Sequence, residues 1–159
     1  MFQLRSNDMK DGGRLGMAQV YNSFGHDGGN LSPHLAWSGA PAGTESFVVT
    51  AYDPDAPTGS GWWHWVVTNI PADVTELPTG ASGTAAMPPG AVESRTDYGT
   101  GGYGGAAPPP GPAHRYIFTV YAMKLPRLEV TAESSAAMVG FMTNFNSLAK
   151  ASLTALYGE

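Results

Sequence analysis

The clearest order in this chain lies in three short runs where β-branched and aromatic residues crowd together. Phe47–Tyr52 (Phe-Val-Val-Thr-Ala-Tyr), bounded by Asp53-Pro54, predicts a strand. Trp62–Ile70 predicts a second, stopped by Pro71, which has no N–H to continue a ladder. Simple alternation along it places Trp63 and Trp65 on one face. Arg115–Met123 is the strongest of the three, apolar on both faces in the manner of an interior strand.

The period changes toward the C-terminus. Met138, Phe141, Met142 and Phe145 recur at helical spacing, and Glu133 suits a first turn, so a helix is predicted over about 134–145. After Asn146, Ala149, Ala151, Leu153, Ala155 and Tyr157 alternate with Lys150, Ser152 and Thr154, which predicts a closing strand. The remaining segments are polar or rich in turn formers. Residues 1–46 carry turn clusters at His26–Asn30 and Ser38–Thr44, and residues 53–61 are dense in Asp, Pro and Gly. Residues 79–112 show almost no apolar period, and loops this long inside a compact domain are usually functional or mobile. No repeat and no linker divides residues 1–159, so one domain is expected.

Composition sharpens the class. With 21 glycines and 13 prolines, a mostly β fold with many turns suits the chain better than a helical bundle. Charged residues make up 13% of the chain, and the net charge is −5 without any cluster of Lys or Arg. A nucleic-acid partner and an electrostatic membrane anchor both need such a cluster, so neither is expected. Cysteine is absent, which removes disulfide and thiolate chemistry. No run approaches the ~20 apolar residues of a membrane span, and Met1-Phe2-Gln3-Leu4-Arg5 opens no apolar stretch of signal length. Integral membrane association is therefore not expected, and a cytoplasmic location is.

Two motif-like features carry less than they suggest. Gly99-Thr100-Gly101-Gly102-Tyr103-Gly104 satisfies GxGxxG, but Pro108, Pro109 and Pro110 follow where the dinucleotide motif needs a helix. Asp53, His64 and His114 are chemically able to bind zinc, yet they lack a ligand spacing, so no metal and no cofactor is expected.

Two segments carry the functional signal. The first is Asp53-Pro54-Asp55-Ala56-Pro57, followed by Gly61-Trp62-Trp63-His64-Trp65. The second runs from Gly102 through Pro108-Pro109-Pro110 to His114-Arg115-Tyr116. In each, a proline-stiffened loop sits beside a strand with a histidine near its start. Such loops lose little freedom on binding. Histidine can become cationic beside an anion, a carboxylate can fix its tautomer, and Trp62 and Tyr116 supply apolar walls with donors. Each residue alone has an ordinary structural explanation. The tryptophans pack sheets, the aspartates form turns before prolines, and Arg115 pairs with a carboxylate such as Asp97 or Glu93. Their joint order is what points to a site.

That order resembles the phosphatidylethanolamine-binding protein family, and in particular its bacterial Raf-kinase-inhibitor-like branch. The resemblance rests on Asp53–Pro57, on Trp62-x-His64-Trp65, and on Pro108-Pro109 with His114-Arg115-Tyr116. Gly29-Asn30-Leu31-Ser32-Pro33 and Leu35–Pro41 match upstream. It implies a β-sandwich of two antiparallel sheets with short helices, one near the C-terminus. It implies a pocket at one end, lined by Asp53, Pro57, Trp62, His64, Pro108, Pro109, His114 and Tyr116. It also implies cis peptide bonds before Pro54 and Pro57, and often a homodimer. Relatives carry Gly-Pro-Cys-Pro-Pro where this chain has Gly105-Ala106-Ala107-Pro108-Pro109, so Ala107 joins the candidate wall.

Two functions compete at this stage. One is a binding module for a small anionic or phosphorylated ligand. The other is a cofactor-independent enzyme, a cyclase, isomerase or dehydratase acting on a biosynthetic intermediate, with His64 or His114 moving the proton and Asp53 orienting it. A third, a protein acting only through its surface, leaves the pocket unexplained.

Overall fold

The β-branched run at 47–52 becomes the middle strand of a five-stranded sheet. The computed structural model describes residues 1–158. Its strands in chain order are β1 (Gln3–Arg5), β2 (Leu35–Ser38), β3 (Ser46–Asp53), β4 (Trp62–Pro71), β5 (Glu76–Leu77), β6 (Val92–Glu93), β7 (His114–Met123) and β8 (Ser147–Tyr157). A single α-helix among the described residues, α1 (Ala136–Phe145), precedes β8, and a 3-10 helix spans Met17–Gln19. The larger sheet has the order β6-β4-β3-β7-β8 and the smaller β1-β2-β5, with antiparallel pairing throughout. This is the mostly β, two-sheet arrangement expected. β7 lies inside its sheet, between β3 and β8, as its two apolar faces require.

The main core fills the space between the sheets. Leu4, Leu35, Trp37 and Leu77 of the smaller sheet join Phe47, Val49, Trp65 and Phe118 of the larger in one buried cluster. The opposite face of the larger sheet is covered by α1, where Val48, Val66 and Tyr121 meet Ala136 and Val139. Ser135 caps the helix by accepting the Met138 N–H at 3.2 Å, and Glu133 lies before the cap rather than in the first turn. The helix buries Ala136, Val139 and Thr143, not the large apolar stripe that its spacing suggests. Met138, Phe141 and Phe145 stay exposed, with the two phenyl rings stacked at 6.2 Å. The small residues win because they let the helix lie close on the sheet.

β4 departs from simple alternation twice. Opposite β3, Ala51 pairs with Trp65 but Tyr52 with Trp63, so His64 is an extra residue. A bulge of this kind turns the next side chain back to the same face. Trp62, His64 and Trp65 therefore look toward the interior between the sheets, while Trp63 packs on the helix side. The expectation that Trp63 and Trp65 share a face is thus corrected. A second irregularity falls between Phe47 and Val49, near Asn69 with its φ of 61°. Asn69 fits that left-handed turn, and its side chain bonds both the carbonyl and the N–H of Leu128.

The expected cis bonds are absent. All peptide bonds among the described residues are trans, including those before Pro54 and Pro57. Trans remains the lower-energy form even before proline, by about 0.5–1 kcal/mol. The loop turns by other means, because Asp53 Oδ1 accepts the Asp55 N–H at 2.7 Å. No described helix is long and apolar enough to cross a membrane.

Candidate functional site

Antiparallel pairing decides where the site can form. With the order β4-β3-β7, the end of β3 lies beside the starts of β4 and β7. Asp53, Trp62, His64, His114 and Tyr116 thereby gather at one end of the sheet. They line a cavity of about 220 Å³ together with Pro57, Ala107, Pro108 and Pro109. Each of the nine residues expected to line the pocket is brought to this one cavity, whereas Asp55 and Arg115 of the same motifs are not among its lining. Ala56 of the first motif also lines it, and three further lining residues carried no motif: Phe24, Thr58 and Tyr98. Tyr98 stacks on Tyr21 at 4.2 Å and meets Trp62 and His64 edge-on, in a Gly-rich segment that hid it from sequence reading. Phe24 is 67% exposed and holds a φ of 55°, an unusual conformation for a bulky residue at a cavity rim.

The polar floor is built from buried, oriented groups. His114 Nδ1 donates to Asp53 Oδ2 at 2.7 Å, and both side chains are buried. His64 Nδ1 donates to the Gly104 carbonyl at 2.7 Å, so Asp53 orients His114 and the loop backbone orients His64. Burial pushes the His64 pKa down, against the opposing effects of the Gly104 bond and the Asp53 charge. Two donors are poorly used: Trp62 Nε1 is buried without a partner among the described residues, and the buried Tyr116 hydroxyl stands beside the Asp53 carboxylate without a well-formed hydrogen bond. Burial, and then the nearby Asp53 charge, push the Tyr116 phenol up, so it stays protonated and can donate.

The long 79–112 segment is pinned rather than loose. Gly104 N donates to the His64 carbonyl at 2.9 Å, and Gly105 N to Asn30 Oδ1 at 2.7 Å, which gives the upstream Gly-Asn-Leu-Ser-Pro motif its role. A Cβ on Gly104 would strike the Tyr98 ring, and one on Gly105 the Gln19 carbonyl. The GxGxxG run thus serves close backbone approach, and no helix follows it. Of the two alanines that depart from the family pattern, Ala106 is buried in the core and Ala107 alone faces the cavity. His26 Nε2 contacts the Pro108 carbonyl at 2.9 Å and steadies the proline wall.

Arg115 takes a different partner from those expected. Its Nε and Nη2 donate to Asp55 at 3.0 and 2.9 Å, and its backbone N–H adds a third bond at 2.9 Å. Asp97 instead accepts the Trp63 N–H and Glu93 the Trp65 indole N–H. The hairpin-like approach of the 53–58 turn to the start of β7 makes Asp55 the nearer carboxylate. Hydrogen bonds from Arg115 lower the Asp55 pKa from 3.8 to about 2. Because the folded value is depressed, the contribution is complete above 3.8 and lost as pH falls through about 2. Urea unfolding of Asp55→Asn should therefore show a flatter stability profile than the parent between about pH 4 and pH 2. Parallel profiles would remove the pair from the acid response.

No Lys or Arg lines the cavity, and among the described residues no three His, Cys, Asp or Glu side chains are grouped as metal ligands. Comparison with known proteins agrees with the motif reading. A family model for phosphatidylethanolamine-binding protein matches residues 5–158. The chain is 60% identical over 156 residues to the UPF0098 protein YbhB of Escherichia coli (strain K12), covering 98% of this chain and 99% of that one. It is 53% identical over 161 residues to the UPF0098 protein YbcL of the same organism, covering 98% and 87%. The crystal structure of E. coli YbcL, presented as a new member of the mammalian PEBP family, superposes with a TM-score of 0.97 at 52% identity, covering 99% and 98%. A PEBP homolog from Chlamydia trachomatis superposes at 0.83 with 26% identity, covering 99% and 97%.

Proposed function

The chain belongs to the phosphatidylethanolamine-binding protein family, and from that premise we propose that it is a small-ligand binding protein whose cavity holds a phosphate or carboxylate group. The ligand is a small anion or a phosphorylated partner. The observation that carries this reading is the pair of poorly used buried donors, Trp62 Nε1 and Tyr116 OH. A buried donor left without an acceptor costs about 1–3 kcal/mol. Two of them on one cavity wall favour an occupant rich in acceptor oxygens, and the apolar remainder of the wall suits a modest organic body. The bacterial Raf-kinase-inhibitor-like branch, a cytoplasmic location and a homodimer fit the same proposal.

Titration calorimetry with inorganic phosphate tests it. Tyr116→Phe and Trp62→Phe remove a donor and keep an aromatic wall, so each should weaken phosphate by about five- to tenfold. Absence of phosphate and acetate binding to the folded parent would sink the reading.

One observation favours a second reading. The Asp53–His114 pair is an oriented acid–base dyad, and Nε2 of His114 makes no hydrogen bond among the described residues. Such a dyad could move a proton in a cofactor-independent cyclisation, isomerisation or dehydration. His114→Ala that still binds phosphate but stops turnover of a candidate substrate would favour catalysis.

A further inference from the structure

We infer that the cavity takes up its anion together with one proton, which settles on His64 Nε2. The inference rests on the anion-binding reading above and adds how that site must be charged to work.

The geometry fixes the tautomers. The partner of His64 Nδ1 is a backbone carbonyl and that of His114 Nδ1 a carboxylate, each at 2.7 Å. Both partners accept, so both Nδ1 atoms carry the hydrogen. In the neutral His64 ring, Nε2 is then a lone pair. The cavity therefore offers that lone pair and the Asp53 carboxylate, against the neutral donors of Trp62 and Tyr116. With no Lys or Arg in the lining, an incoming anion meets no fixed positive charge. Protonating one Nε2 turns an opposing lone pair into a charge-assisted donor, about twice as strong as a neutral one.

His64 is the ring that gains this proton, because its Nδ1 partner is an uncharged carbonyl whereas His114 stands on the Asp53 carboxylate, and burial disfavours a charged His64 before the anion arrives. Several groups face it. Asp53 ends β3, His114 and Tyr116 open β7, and Tyr98 and Asp97 come from the loop between β6 and β7. Asp53 and Asp97 favour the imidazolium, a cationic His114 would oppose it, and the tyrosines stay neutral. Once an anion adds its own charge beside Nε2, the balance tips toward protonation.

Sulfate is the probe, since it carries no proton of its own near neutrality. Calorimetry at about pH 7.5 in two buffers of different ionisation enthalpy counts the protons taken up. The parent should take up about one proton per sulfate, and its affinity should fall about tenfold per pH unit above the His64 titration. His64→Gln, whose amide donates without ionising, should bind sulfate with almost no uptake. A second measurement needs no variant. The His64 Nε2 resonance of the parent should change from a lone-pair to an N–H signature when sulfate is added. Sulfate bound without proton uptake, or uptake that persists in His64→Gln, overturns the inference alone. So does phosphate binding without sulfate binding, because the proton then travels on the ligand. If neither anion binds the folded parent between about pH 5 and pH 8, the binding function itself fails.

Discussion

His64→Ala is expected to weaken phosphate binding by about 10- to 100-fold while leaving the protein folded. A hydrogen bond to a charged group is worth about 1.5–3 kcal/mol, which corresponds to that range. His64 reaches the cavity from β4 with its Nδ1 held by the Gly104 carbonyl, which leaves Nε2 for the ligand. The substitution also leaves the Gly104 carbonyl without its imidazole donor, and thermal unfolding should record a loss of about 1–3 kcal/mol. Calorimetry with inorganic phosphate, alongside that melt, reads both effects. Unchanged affinity in a folded variant would show that the ring is only packing.

Trp65→Ala should be the most destabilising change. The indole has no exposure, meets Tyr103 edge-on at 5.6 Å, and donates to Glu93 Oε1 at 2.8 Å. Removing a large buried aromatic leaves a cavity and costs about 3–5 kcal/mol, or roughly 6–20 °C in Tm for a chain of this size. The loss reaches beyond the core. Glu93 also accepts from Ser82 Oγ and the Gly83 N–H, and Ser82 Oγ in turn accepts from the Tyr103 N–H. These links hold the long loop whose Gly104 orients His64. Calorimetric melting tests the stability, and protease nicking within residues 79–106 tests the loop. A melt within about 2 °C of the parent would mean that the core closes over the gap.

What the sequence made legible follows from physical reach. The strands at 47–52, 62–70 and 115–123 are long enough to show their pairing preference in composition, and each forms with boundaries shifted by a residue or so. β1, β2, β5 and β6 have only 3, 4, 2 and 2 residues, too few for a period to register. Their positions depend on the core they cover. The cavity residues were legible because two local motifs carry most of them. Tyr98 and Phe24 were not, since nothing local distinguishes an aromatic ring at a cavity from one in a loop. The partner of Arg115 and the buried face of α1 are likewise settled by packing between distant segments. In the helix, that packing selects Val139 over Phe141.

The extra residue in β4 has a consequence for how this fold can change. It works as a phase shift, setting the outer end of the strand half a pleat out of step with the inner end. Trp65 and His64 can therefore be neighbours in sequence and both point inward, one into the core and the other into the cavity. Side-chain substitutions at the mouth retune the lining without disturbing this phase. Loss of one residue from Trp62–His64 would reset it, exchanging the inward and outward sets at the outer end of β4. The lining of this cavity is thus open to change in residue identity but closed to change in length at this strand.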